Sequence, residues 1–170
     1  SESKRYLVLP IEVHEAASRN NIEEILHWLG PPPVDKQRVN ARDAEFMDIT
    51  LVFHAVMCKN LDLLSILLQL GADVDPLAAD GGTPLSTFGL DTEAYAQARL
   101  LLEWGAELSN NMAFPKENLL NRCGKSKLAN LLNSEFGGRR CEVINLPNRP
   151  DLIGKTCVVE KHLPNKGRYK

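Results

Sequence analysis

Apolar residues along this chain fall into paired short runs at helical spacing. Ala16 and Ala17 precede Ile22, Ile25, Leu26 and Leu29, and Ala55 and Val56 precede Leu61, Leu63, Leu64, Ile66, Leu67 and Leu68. Further along, Leu119, Leu120 and Cys123 precede Leu128, Leu131, Leu132 and Phe136, while Asn118, Asn121, Asn130 and Asn133 keep the other faces polar. The pattern predicts helix pairs, each with a first helix of small residues and a second, more apolar one. Small residues let the two helices approach closely, and the leucines fill the space between neighbouring pairs. One pair cannot bury its apolar face alone, so such units must stack. From Arg139 the period changes. CEVINL and TCVVEK read as strands, Asn-Arg-Pro-Asp and Pro-Asn-Lys-Gly as turns, and GRYK as the start of a third strand.

The helix stops repeat as well. SILLQLGADVDP at 65–76 and LLLEWGAEL at 100–108 both end an apolar run in Gly-Ala, with Gly71 and Gly105 34 residues apart. Glycine at that place accepts the left-handed conformation that closes a helix. Thr50-Leu51-Val52 lies 21 residues before Gly71, and Thr83-Pro84-Leu85 lies 22 before Gly105. The two threonines are 33 apart, a period known from repeat architectures. With TPLSTF at 83–88, ILLQLGADVD at 66–75 and a weaker copy, VHEAASRNNIEEILHWL at 13–29 followed by VNARD at 39–43, the chain resembles the ankyrin-repeat family.

That resemblance implies a mainly α fold, an ankyrin-repeat solenoid of stacked helix hairpins with a short C-terminal antiparallel β segment. The repeats would cover about 10–43, 44–77 and 78–108, with a divergent capping pair at 109–136 and a separate basic β-rich segment at 137–170. Three departures stand out. Gly30 to Pro33 and Val34–Arg38 lengthen the first connection. The finger AEFMDI exceeds the usual length by about two residues, and GLDTEAYAQ carries one extra. The long finger sets Phe46 and Met47 in a polar turn, where they either fold back on the repeat or reach a partner.

The tail, through V-x-x-L, L-x-GK, VV and KGRY, resembles a small SH3-like β-barrel motif seen in algal and protist proteins beside ankyrin repeats or MYND zinc fingers. In that motif Gly154 sits in the bend before the second strand and Gly167 closes the second hairpin. The strands are too few for the motif's barrel, so a truncated piece of a longer protein is expected, with strands leaning on the last helix pair as the alternative. The sequence holds no zinc ligands for a MYND finger.

Charge separates the same two units. Residues 137–170 carry eight Lys/Arg against three acids, +5, and the remainder carries 12 against 19, −7. No apolar run approaches the roughly 20 residues that span a bilayer, and SESKRYLVLP is too briefly apolar for a secretory signal, so no membrane insertion is expected. Cys58, Cys123, Cys141 and Cys157 form no C-x-x-C pair and read as buried reduced thiols, which fits a cytoplasmic or nuclear protein.

Candidate chemistry is thin. GKS at 124–126 lacks the upstream glycine and strand of a phosphate loop, and Ser126 reads better as a helix N-cap. His14 takes the place of the family's motif histidine, which the resemblance implies hydrogen-bonds between repeats; His54 is one place off, and His27 and His162 are scattered. No catalytic, cofactor-binding or metal-binding residue is assigned. The expected function is protein or peptide binding on a concave face. By the family register its first-helix positions are Ser18, Arg19, Met57, Cys58, Leu90 and Asp91. Its fingertips are Glu45, Phe46, Met47, Asp48, Ala79, Asp80 and Gly82. Acids mixed with a few apolar side chains favour a basic or amphipathic ligand. Recruitment of substrate to a larger enzyme is one alternative. Nucleic-acid or anionic-surface binding by the tail is another, weakened because Tyr169 is its lone stacking aromatic.

Overall fold

A computed structural model describes residues 6–90, 94–108, 116–124, 126–160, 162–163 and 168–169. The chain is mainly helical. Helices α1 (Ile11–Ser18) and α2 (Ile22–Leu29) form the first pair, followed by the single turn α3 (Lys36–Val39). Strands β1 (Arg42–Asp43) and β2 (Ile49–Thr50) make a short antiparallel finger, which leads into α4 (Leu51–Met57) and α5 (Leu61–Gln69). A 3-10 helix at Pro84–Leu90 and α6 (Tyr95–Glu103) form the third pair, and α7 (Lys116–Cys123) and α8 (Lys127–Asn133) the fourth. Among the described residues no helix is long and apolar enough to cross a membrane.

The pairs pack side by side. First helices meet in the order α1, α4, 3-10 helix, α7, and second helices α5, α6 and α8 meet in a parallel row. Between the rows runs one continuous apolar cluster, from Leu9 to Leu132, in which Ile25, Leu63, Leu64, Leu67, Leu68, Leu101 and Leu128 are fully buried. Ala16, Ala17 and Ala55 are buried where first and second helices approach.

Local geometry recurs. The Gly71 N–H donates to Leu68 O (3.1 Å) and the Ala72 N–H to Leu67 O (3.0 Å). Gly105 and Ala106 make the same pair of bonds to Leu102 O and Leu101 O at 3.0 and 2.9 Å. Both glycines sit at positive φ, +89° and +95°, as this type of helix end requires. The turn inside each of the first two pairs is also duplicated. Asn21 N–H donates to Ala16 O and Asn60 N–H to Ala55 O, both at 2.8 Å, and the side chains of Asn21 and Asn60 cap α2 and α5.

The structure departs from the sequence expectation in four places. The first helix of the third pair is 3-10 rather than α. Ser86 and Thr87 hydroxyls donate to Thr83 O and Pro84 O, both at 2.7 Å, and this local bonding competes with α-helical pairing. The Pro-rich connection is more ordered than a plain loop, because Asp35 caps α3 through the Gln37 and Arg38 N–H groups and Arg38 reaches back to Trp28 O (3.1 Å). Helix α8 stops at Asn133, so Phe136 lies beyond it, while Ser126 does cap it by accepting from the Ala129 N–H (3.1 Å). Of the cysteines only Cys123 is buried; Cys58 and Cys141 are half-buried and Cys157 is exposed.

The tail builds two ladders. β3 (Arg140–Glu142) pairs antiparallel with β4 (Thr156–Val158), and β5 (His162–Leu163) with β6 (Arg168–Tyr169). Gly154, at φ +81°, turns the chain into β4, and its N–H donates to Val143 O (2.8 Å). Gly167 lies outside the described residues. The first ladder leans on the helices. Gly138 fits so closely that an added Cβ would stand 3.0 Å from Leu102 Cβ, Val159 is buried, and Arg140 pairs with Glu103 at 2.7 Å.

Candidate functional site

The finger between β1 and β2 is the most elaborately held loop among the described residues. The Arg42 guanidinium donates to Asp48 O (2.9 Å) and to Leu77 O (2.6 Å) in the next loop, and it lies over the Tyr6 ring. Tyr6 in turn donates its hydroxyl to Asp48 Oδ1 (2.9 Å). The tip needs left-handed backbone at Met47 (φ +56°) and Asp48 (φ +54°), a conformation unfavourable for methionine. Met47 O accepts from the Ala79 N–H (2.8 Å), joining this finger to the one that carries Asp80.

So held, the tip leaves Phe46 41% and Met47 48% exposed, and Glu45 is exposed beside them. Phe46 folds back on the repeat in part. Its ring packs on His54 (6.3 Å between centroids) and meets His14 edge-on (6.0 Å), while its outer face stays in water.

Other expected positions divide. Met57, 52% exposed, and Ser18 face solvent, and Cys58 is half-buried with its thiol pushed up by burial. Arg19 is exposed and lies near Glu15 (3.3 Å) and Glu24 (3.7 Å), weak surface pairs. Ala79 and Asp80 are exposed, but Gly82 is buried, because its N–H donates to Asp80 Oδ1 and its carbonyl accepts from Ala78, both at 2.9 Å. Gly82 therefore holds the fingertip rather than presenting it. Leu90 ends the 3-10 helix, and Asp91 lies outside the described residues.

Beneath Phe46 the structure gathers three residues that no sequence spacing suggested. Asp43, on β1, is buried, and its Oδ1 accepts from the N–H groups of Glu45 (3.2 Å) and Phe46 (3.1 Å). Its Oδ2 accepts from His14 Nδ1 on α1. On the other side stands His54 of α4, only 4% exposed, with Nε2 3.4 Å from the same Oδ2 and no hydrogen bond of its own. The two imidazoles meet edge to face at 4.8 Å. Burial holds His54 below the usual histidine range, and the nearby His14 adds to this against the pull of Asp43. Burial alone would raise the Asp43 carboxyl, but the bond from His14 and the two histidines' charge outweigh it and hold Asp43 low.

Grooves elsewhere are open and shallow. One of about 430 Å³ runs past Tyr6, Gln37, Arg42 and Asp73, and one of about 360 Å³ lies between α5 and α6 along Leu61, Tyr95 and Arg99. In the tail, two arginines are already paired, Arg140 with Glu103 and Arg149 with Asp151 through two bonds of 2.9 and 2.8 Å. No family model matches the chain, and no curated protein is similar enough to count as a relative.

Proposed function

We propose that the chain is an ankyrin-type solenoid acting as a non-catalytic binding module, which grips a basic or amphipathic polypeptide across its fingertips and first helices. The observation that carries this reading is the braced fingertip. Phe46 keeps its outer face in water and Met47 stays about half exposed, on a hairpin tied to Tyr6, to Arg42 and to the next finger. Spending a left-handed methionine to do so is an arrangement that suits a surface awaiting a partner.

Glu45 and Asp48 flank Phe46 and Met47 along the finger, and Asp80 is exposed on the finger joined to it. An apolar centre with an acidic rim suits a ligand of opposite charge that buries a few apolar residues. The tail's paired arginines leave less free positive charge for a phosphate backbone, which favours the protein-binding reading over the nucleic-acid one.

The test uses peptides selected against the full chain from a library of basic amphipathic sequences. Replacing Phe46 and Met47 together by serine should weaken the selected peptides by about 2 kcal/mol or more, a loss typical of central apolar anchors. Unchanged affinity in that variant, with its fold intact by circular dichroism, removes the fingertip from the binding face.

A further inference from the structure

We infer that His14, Asp43 and His54 form a binding site for one divalent transition-metal ion of the zinc class, buried under the Phe46 ring. One donor atom from each of the three lies within 4.8 Å of the others, and His14 Nδ1 and His54 Nε2 both approach Asp43 Oδ2. They come from three different elements, α1, β1 and α4, whose relative positions are fixed by helix packing and by the β1–β2 ladder. Two imidazole nitrogens and one carboxylate oxygen are a donor set that zinc accepts readily, with a fourth place left for water.

Two observations point to a ligand rather than to a finished hydrogen-bond network. The first is His54 Nε2, a polar atom sealed from solvent and without a hydrogen bond, beside the carboxylate. Buried nitrogens of this kind ordinarily find a partner. Its 3.4 Å separation from Asp43 Oδ2 is the spacing of two donors on one tetrahedral ion with bonds of about 2.0–2.1 Å.

The second is the division of labour on Asp43. Both backbone donors from the finger engage Oδ1, which orients the carboxylate and leaves Oδ2 to face the two rings. Supports of this kind around a ligating carboxylate are what a metal site requires.

Binding needs one rearrangement. His14 now spends its Nδ1 proton on Asp43. The ion takes that place, the proton moves to Nε2 as the other neutral tautomer, and the partly exposed ring can donate this N–H in a hydrogen bond to water. His14 and Asp43 then part from hydrogen-bond contact to the wider separation that two ligands of one ion adopt. Because Phe46 rests on both histidines, the filled site would also fix the fingertip.

The experiment uses the full chain, free of any histidine tag and stripped by chelator, titrated with Co²⁺ and then Zn²⁺. One equivalent of Co²⁺ should give visible d–d bands of a four-coordinate ion, and Zn²⁺ should abolish them. His14→Gln and Asp43→Asn should each weaken Zn²⁺ by on the order of 100-fold. His54→Gln sits in the core and can fail to fold, so the half-exposed His14 carries the decision, with circular dichroism checking each variant. Absence of bands and of any Zn²⁺-dependent rise in Tm overturns the inference. So does stoichiometric binding that survives both His14→Gln and Asp43→Asn, because it places the metal elsewhere.

Discussion

The Asn40 side chain accepts a hydrogen bond from the Asp73 backbone N–H, 33 residues later, at 2.7 Å. Its amide nitrogen donates to the carbonyl of Lys36, the first residue of α3 (2.9 Å), so one side chain ties the end of one unit to the same place in the next. Asp75 repeats the device, its Oδ2 accepting from the Glu107 N–H at 2.8 Å. Asn40→Ala should cost about 1 kcal/mol, the net worth of a well-formed hydrogen bond, measured by urea unfolding. Asn40→Asp keeps the acceptor for Asp73 and should recover part of the loss.

Gly71 and Gly105 answer to backbone conformation alone. Each lies at positive φ, and a Cβ at either would meet nothing within 4 Å. Alanine at either position should therefore destabilise by about 1–2 kcal/mol through left-handed strain without any clash. Their costs should add to within about 0.5 kcal/mol in the double variant, since the sites share no partner. Asparagine, which tolerates this conformation, should cost less than alanine at both. Equilibrium denaturation of the four single variants and the double alanine variant checks all three statements.

Asp75 predicts a pH dependence. Burial raises its carboxyl above the usual value, opposed by the Glu107 N–H, while the charges of Asp73 and Glu107 raise it further and Arg139 lowers it. A folded pKa above the unfolded one means that the folded chain holds the proton longer. The resulting stability is full below the unfolded value of about 3.8 and is lost as pH rises through the folded value. Asp75→Asn keeps an oxygen for Glu107 and removes the charge. It should be more stable than the parent at pH 7, with the difference closing as pH falls toward 4. A constant difference between pH 4 and 7 would contradict this cause.

Much of the architecture is legible in the sequence because its signals are local. Gly71 and Gly105 are helix ends whose chemistry needs only their own residue, Ser126 caps the helix it precedes, and Gly154 turns into a strand. The tail's change of period appears as strands, shorter than the alternation suggests. Where side chains compete with the backbone, the reading fails. Ser86 and Thr87 draw the third pair's first helix into a 3-10 form, and the Asp35 cap organises a stretch that composition marks only as a loop.

The His14–Asp43–His54 cluster was hidden for a different reason. Its members lie 29 and 11 residues apart on three elements, so no window of sequence contains it. One local sign was present: His54 stands one place off the position His14 occupies in its own unit, and both rings face the same oxygen of Asp43. Gly82 shows the converse. Its register marked a fingertip, but the Asp80 turn pulls it inside.

The central claim is that the fingertips and first helices are the face that binds another polypeptide. The most direct measurement is an amide chemical-shift map of the ¹⁵N-labelled chain, titrated with a library-selected basic amphipathic peptide. The largest shifts should fall on Glu45 to Asp48, on Met57 and Cys58, and on Ala79 and Asp80, and Phe46→Ser with Met47→Ser should abolish them at the same peptide concentration. Shifts concentrated instead on β3 and β4, or along Leu61, Tyr95 and Arg99 between α5 and α6, would contradict it.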